Sequence, residues 1–68
     1  MNLQLRYFRK KALLNQYQLA RKCGISQAYY SGIERGDIIA KHEYQARIAK
    51  ALDATIDDLF PAASNESE

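Results

Sequence analysis

Few side chains in this sequence of 68 residues have the types and spacing that catalysis requires. Cys23 is the only cysteine and His42 the only histidine, so neither an internal disulfide nor a cysteine-based zinc cluster is possible. The sequence has no nucleophile paired with a base and no glycine loop of the kind that holds phosphates. We therefore expect no enzyme activity, no metal and no cofactor. Cys23 is most simply a small buried apolar residue, with a redox sensor as the less favoured alternative.

Binding chemistry is present instead at the predicted start of a helix. Ser26 is a good N-cap, which places Gln27 and Ala28 in the first helical turn. A glutamine amide can pair with the N6 and N7 groups of adenine, and an alanine methyl can contact the thymine methyl. The free N–H groups of a helix N-terminus also favour phosphate. These residue types fit DNA recognition.

The spacing of apolar residues predicts the five helices that would position these side chains. Their predicted ranges are 3–12, 16–23, 27–35, 41–52 and 56–60. The composition, 47% hydrophobic and 26% charged, is that of a globular domain, and only three Gly and one Pro separate the segments. We expect one compact all-α domain over residues 1–61 and a flexible acidic tail over residues 62–68.

The second and third helices are joined by a few residues centred on Gly24 and must therefore cross at a steep angle. Ala20 is small enough for this close approach, Gly24 supplies a positive φ, and Ile25 fills the crevice beneath the turn. Tyr30 and Ile33 should anchor the third helix in the core, with the Tyr30 hydroxyl at the core's edge. This spacing specifies a helix-turn-helix shape.

Charge is divided unevenly along the chain. Residues 1–35 contain seven Lys or Arg and one acid, a net charge of +6, whereas residues 36–68 contain three and seven, a net charge of −4. Such polarity suggests a polyanion on one face, although a solvated helix surface is the commoner reason for a charge run. No apolar run is long enough for a signal peptide or a membrane span, so we expect a cytoplasmic protein without membrane contact.

Several motifs stand in the register of one known family. They are Leu14-Asn15-Gln16, Leu19-Ala20, Cys23-Gly24-Ile25-Ser26, Ser31, Ile33-Glu34-Arg35-Gly36, Ile48-Ala49-Lys50-Ala51-Leu52 and Ile56-Asp57-Asp58-Leu59-Phe60. Together they resemble the phage-repressor and Cro-like, XRE-type family of helix-turn-helix regulators. Residues 29–36 also resemble the controller proteins of restriction-modification systems. The resemblance implies a lambda-repressor-like fold and a transcription regulator, either repressor or controller, that binds operator DNA as a homodimer.

The resemblance also assigns roles to single residues. Gln16 matches a glutamine that binds a phosphate, and Gln27 and Ala28 match positions that face base edges. Arg35 and Lys41 flank helix ends and would hold phosphates without recognising sequence. Arg9 and Glu34 match an ion pair that ties the helix-turn-helix unit to the first helix. The full predicted DNA-binding set is Gln16, Ser26, Gln27, Ala28, Tyr29, Ser31, Gly32, Arg35 and Lys41.

Four positions carry more specific expectations. Tyr29 should point outward, where its phenol can stack on or bond to a base or a phosphate. Gly32 costs roughly 1 kcal/mol inside a helix, and we expect it to permit close approach to DNA, with mere tolerance as the alternative. Leu13 stands where the family usually has Gly or another turn-former. Asp37 stands where Lys or Arg commonly adds a phosphate contact.

Two apolar groups leave alternatives open. Ile38 and Ile39 are unusually apolar for a loop and should pack under the fourth helix, or else form a protein-binding surface. Ile56, Leu59 and Phe60 should contact their copies in a homodimer, with the core of a monomer as the alternative. A protein partner in the transcription machinery is also considered. The alternative function is a protein-interaction module, such as an antitoxin-like or anti-repressor partner, that keeps the fold without operator binding.

Overall fold

The computed structural model describes residues 1–61, and the acidic tail expected over residues 62–68 lies outside this range. The described residues form five helices and no strand. The helices are α1 (Leu3–Lys11), α2 (Gln16–Cys23), α3 (Gln27–Arg35), α4 (His42–Ala51) and α5 (Ile56–Leu59). The predicted five-helix, all-α fold is confirmed. None of these helices has both the length and the apolar character needed to cross a membrane.

Side-chain caps and glycines set the limits of the two central helices. The Asn15 side chain accepts a hydrogen bond from the Gln18 backbone N–H at 2.8 Å, and the Gln18 side chain accepts one from the Asn15 N–H at 2.9 Å. This capping box begins α2. Glycines in the left-handed conformation end α2 and α3, with φ of +72° at Gly24 and +91° at Gly36. The steep turn predicted at Gly24 therefore rests on its backbone freedom.

Three predicted helices include terminal residues that are caps in the structure. Ala12 is the C-cap of α1, Lys41 and Leu52 flank α4, and Phe60 is the C-cap of α5. After Ala12, Leu13 adopts a φ of +62°. A left-handed conformation costs a residue with a Cβ about 1 to 2 kcal/mol. Leu13 thus makes the turn without the residue type that the family prefers there.

The core lies where all five helices meet. Its buried apolar residues are Leu5, Leu19, Ala20, Cys23, Tyr30, Ile33, Ala40, Ile48, Ala49, Leu52 and Leu59. On α1, Leu5 and Arg9 are buried, whereas Ala12 at its end is exposed. A buried charge needs a partner to offset its lost hydration, and the partner of Arg9 lies on α3.

Asn2 joins the start of α1 to two other helices. Its side-chain oxygen accepts a hydrogen bond from the Leu5 N–H at 3.0 Å and caps α1. Its side-chain amide donates to the Leu59 carbonyl at 2.7 Å, and its backbone N–H donates to the Glu34 carbonyl at 2.8 Å. One residue therefore fixes α1 relative to the ends of α3 and α5.

Candidate nucleic-acid interface

Helix α3 has one face in the core and one in solvent. The Ser26 hydroxyl caps it by accepting a 3.1 Å hydrogen bond from the backbone N–H three residues later. Gln27 and Ala28 in its first turn are exposed, whereas Tyr30 and Ile33 are buried. The residues expected to recognise bases are therefore accessible, and the opposite face holds the helix rigidly against the domain.

Tyr29 is only partly exposed, less than expected. It is half-buried, because its ring packs edge-on against Tyr44 of α4 with ring centroids 5.4 Å apart. Both rings line a surface hollow at the start of α3, together with Gly24, Ile25, Ser26 and Lys41. Tyr44 is absent from the predicted DNA-binding set, so its contribution to this surface was missed. No pattern within one helix could reveal this contact, because it depends on how α3 and α4 pack.

The role expected for Gly32 is wrong. Gly32 is buried, and a Cβ at this position would collide with the Cδ1 atom of Ile38 and lie 2.8 Å from its Cγ1. The close approach that requires glycine is thus internal, between α3 and the loop that follows it. Gly32 belongs to the packing of the domain rather than to its DNA surface.

Arg9 and Glu34 form a buried ion pair that supports α3. Arg9 Nε donates to Glu34 Oε2 at 2.8 Å, and Arg9 Nη2 donates to Oε1 at 3.2 Å. The Tyr30 hydroxyl also donates to Oε2, at 2.7 Å, and is fully buried rather than at the core's edge as expected. The Gln16 amide donates to Oε1 at 2.9 Å. Four donors therefore satisfy a single carboxylate.

These contacts change the acid–base behaviour of the three ionisable groups. Burial by itself would raise the pKa of Glu34, but the hydrogen bonds from Arg9, Tyr30 and Gln16 outweigh it and lower the pKa. The hydrogen bond to Glu34 raises the pKa of Arg9 against the opposing effect of burial. Burial, followed by the hydrogen bond to Glu34, raises the pKa of the Tyr30 hydroxyl. The network therefore holds one positive and one negative charge at neutral pH.

Gln16, expected to bind a phosphate, lies at the start of α2 and is half-buried. Its amide nitrogen carries two hydrogens, and the bond to Glu34 uses one of them. That bond fixes the orientation of the amide. The side chain is thus held against the core at the start of α2.

Arg35 and Ser31 are linked on the outer side of α3. Arg35 Nη1 donates to the Ser31 hydroxyl at 2.8 Å, and Arg35 Nε donates to Asp37 Oδ2 at 2.9 Å. The side chains of Arg35 and Asp37 remain 55% and 64% exposed, so their pair is a surface one. Lys41, the other predicted phosphate contact, is exposed at the start of α4.

The predicted dimer residues differ in burial. Leu59 is fully buried, so its inclusion in an interface is wrong: it fills the core of a single chain. Ile56 and Phe60 are half-buried and retain some surface. The two isoleucines of the neighbouring loop also differ in burial. Ile38 packs against Gly32 and the core, whereas Ile39 is 91% exposed.

Cys23 and His42 lie in different surroundings. Cys23 is buried, and burial raises the pKa of its thiol. His42 is exposed as the first residue of α4. Within residues 1–61, no three His, Cys, Asp or Glu side chains are grouped so that they could hold a metal ion.

The closely connected α2–α3 pair, the exposed first turn of α3 and the buried ion pair define a helix-turn-helix domain. The family model described as helix-turn-helix matches residues 5–59. The chain belongs to this XRE-type helix-turn-helix family of DNA-binding transcription regulators.

Solved structures agree with this assignment. The restriction-modification controller protein C.AhdI from Aeromonas hydrophila has 32% identity and a TM-score of 0.82, and the alignment covers 87% of this chain and 89% of that one. The clp gene regulator ClgR from Corynebacterium glutamicum has 33% identity and a TM-score of 0.80, with 91% and 67% covered. The DNA-binding domain of the P22 C2 repressor has 25% identity and a TM-score of 0.81, with 98% and 88% covered. A comparison with curated protein sequences finds no match.

Proposed function

We propose that this chain is a sequence-specific regulator that places the first turn of α3 in the major groove of operator DNA. The observation that carries the proposal is the two-sided character of α3. Gln27 and Ala28 are exposed, while Tyr30 and Ile33 are anchored in the core. A rigid helix with these two side chains on its open surface can contact adenine and the thymine methyl at base edges. Similarity to a restriction-modification controller and to a phage repressor supports a regulator of either kind.

Positive charge would supply much of the affinity. Arg35 and Lys41 are exposed at the end of α3 and the start of α4, where they can reach phosphates on either side of the groove. Gln16 would add a contact at the start of α2. Because phosphate contacts release condensed counterions, binding should weaken steeply between about 50 and 200 mM salt.

The test is a titration of the purified chain against the duplex upstream of its own coding sequence and against a random duplex of equal length. Gln27→Ala should cost about 1 to 3 kcal/mol on the upstream duplex if its contact is bidentate, and much less on the random one. Gln4→Ala is the matched control, because Gln4 is an exposed glutamine on α1. Equal losses of binding free energy on both duplexes would mean that Gln27 contacts a phosphate rather than a base. Binding without preference for the upstream duplex would contradict the proposal and favour the protein-interaction module.

We further propose that the chain acts as a homodimer on a roughly palindromic operator. The remaining apolar surface near the end of the described chain supports this, since Phe60 lines one hollow with the exposed Ile39. Ile56 contributes the other half-buried apolar side chain of α5. A two-fold axis at this surface would place two α3 helices about 34 Å apart, one turn of DNA.

Replacing Phe60 with Glu should give a folded monomer with weakened operator binding. Light scattering measures the mass, and circular dichroism checks the helicity. Ile39→Glu is the second variant, because a side chain that is 91% exposed can be replaced without opening the core. Leu13→Glu, at an 88% exposed site in the α1–α2 connection, is the control. Dimers of unchanged stability in both test variants would refute this interface.

A further inference from the structure

Asp37 is fixed beside Arg35 by the backbone at the end of α3. Gly36 reverses the chain with its φ of +91°. The Asp37 N–H then donates to the Gly32 carbonyl at 2.9 Å, and the next N–H, of Ile38, donates to the same carbonyl at 3.1 Å. The Asp37 carboxylate therefore has a short and defined reach, and it receives Arg35 Nε at 2.9 Å.

This arrangement engages Arg35 on two sides. A guanidinium binds phosphate best through two parallel N–H groups on one edge. Asp37 occupies the Nε–H, and the Ser31 hydroxyl accepts from Nη1 at 2.8 Å. The edge that includes Nε and could form a two-pronged phosphate contact therefore has one donor already in use. Nη1 keeps a second hydrogen, so it is the two-pronged contact through Nε that requires a phosphate to displace Asp37.

We propose that Asp37 is a built-in competitor for the DNA phosphate at Arg35 and thereby limits the affinity of this domain for DNA. The proposal rests on the operator-binding function proposed above. The Asp37 carboxylate, like a phosphate, is an anion that can accept two hydrogen bonds from the Arg35 guanidinium. When Arg35 moves to DNA, the released carboxylate remains next to the polyanion and repels it. Ser31 is a neutral partner and acts as a positioning residue for the guanidinium.

Competition by Asp37 should be moderate, because both side chains are more than half exposed. Exposed ion pairs are weak, so Asp37→Asn should tighten binding about two- to fivefold on operator and random duplexes alike. The slope of log K against log salt concentration should also become steeper, by up to about 0.9. The reason is that, without the carboxylate, no salt cation is retained beside the contact.

Asp53→Asn is the matched control. It makes the same change in charge at an exposed site in the α4–α5 connection, and asparagine tolerates the φ of +54° at that position. The competitor role predicts that Asp37→Asn tightens binding more than Asp53→Asn does. In an Arg35→Ala background the advantage of Asp37→Asn over Asp53→Asn should shrink, since only the repulsion between the Asp37 carboxylate and DNA then remains to be removed.

Three results would overturn the proposal while leaving operator binding intact. They are equal effects of Asp37→Asn and Asp53→Asn in the chain that keeps Arg35, weaker operator binding by Asp37→Asn, and an Arg35 Nε–H signal in NMR spectra that stays unchanged when operator DNA is added. The second result would mean that Asp37 itself contacts DNA favourably. Failure of the proposed function looks different, because the unsubstituted chain would then show no preference for the upstream duplex.

Discussion

Replacing Gly32 with Ala separates an internal role of this glycine from a role in approaching DNA. Alanine is favoured over glycine inside a helix by about 1 kcal/mol. Opposing this gain, the new Cβ would collide with Ile38 Cδ1 and lie 2.8 Å from Cγ1. Ile38 cannot easily withdraw, because its N–H is bonded to the Gly32 carbonyl at 3.1 Å and its branched side chain has few rotamers. Overpacking of this kind costs about 1 to 3 kcal/mol.

The balance predicts that Gly32→Ala destabilises the domain by up to about 2 kcal/mol. In an Ile38→Ala background the obstacle is gone, and the same substitution should stabilise by about 1 kcal/mol. Urea unfolding of the four proteins measures the coupling directly. Since about 1 kcal/mol shifts the Tm of a domain of this size by roughly 4 to 8 °C, the change of sign is easily resolved.

Operator binding by the same variants completes the experiment. Gly32→Ala should retain its affinity at a temperature where the variant is folded, because the new methyl faces Ile38 rather than solvent. A Gly32→Ala protein that is more stable than the unsubstituted chain, yet binds operator DNA tenfold or more weakly, would refute the internal role.

Two further predictions concern the ionisable groups of the buried network and the helix cap at Asn2. The lowered pKa of Glu34 contributes stability above about pH 4.3, which is lost as the pH falls through the folded-state value. The raised pKa of Tyr30 contributes stability that is present below about pH 10 and lost at higher pH. Urea unfolding from pH 3 to pH 11 measures both losses. Tyr30→Phe should remove the alkaline loss and reduce the acidic one, because the Tyr30 hydroxyl also helps to lower the pKa of Glu34. Asn2→Ala removes a helix cap and the link to Leu59 and should cost about 1 to 3 kcal/mol. Gln4→Ala in the same helix should change stability by no more than about 0.5 kcal/mol, and equal effects of the two substitutions in thermal unfolding would contradict the structural role of Asn2.

The fold could be predicted from local signals because each helix carries its own start and stop. Asn15 and Ser26 are N-caps, and Gly24 and Gly36 end the two central helices at positive φ. Such signals act over a few residues and are visible in a single sequence. The errors at helix ends arose because a cap such as Leu52 continues the apolar spacing without being helical.

The candidate site was harder to predict, because its details depend on residues far apart in sequence. Gly32 faces Ile38 instead of DNA, and the Tyr29 ring is turned by Tyr44, 15 positions later. Leu59 was expected in an interface because a short terminal turn cannot bury its own side chains. The contacts of α5 with α1 and α4 provide that burial.

The polar residues expected to bind DNA fall into two groups in the structure, and the difference bears on affinity. Gln16, Ser26, Ser31 and Arg35 already form hydrogen bonds within the described chain. For these four, a DNA contact is added to an ordered side chain or exchanged for an internal bond, so little rotamer entropy is lost but part of the new bond energy is offset. Gln27 and Lys41 have no side-chain hydrogen bond within residues 1–61 and are exposed. Ordering them costs more entropy, but each contact they make with a base or a phosphate displaces no bond within the protein.

We therefore expect Gln27 to dominate the preference for one sequence and Lys41 to contribute more to overall affinity than Arg35, which must first leave Asp37. Titrations of Lys41→Ala and Arg35→Ala on the random duplex compare the two directly, and a larger loss for Arg35→Ala would contradict this ranking.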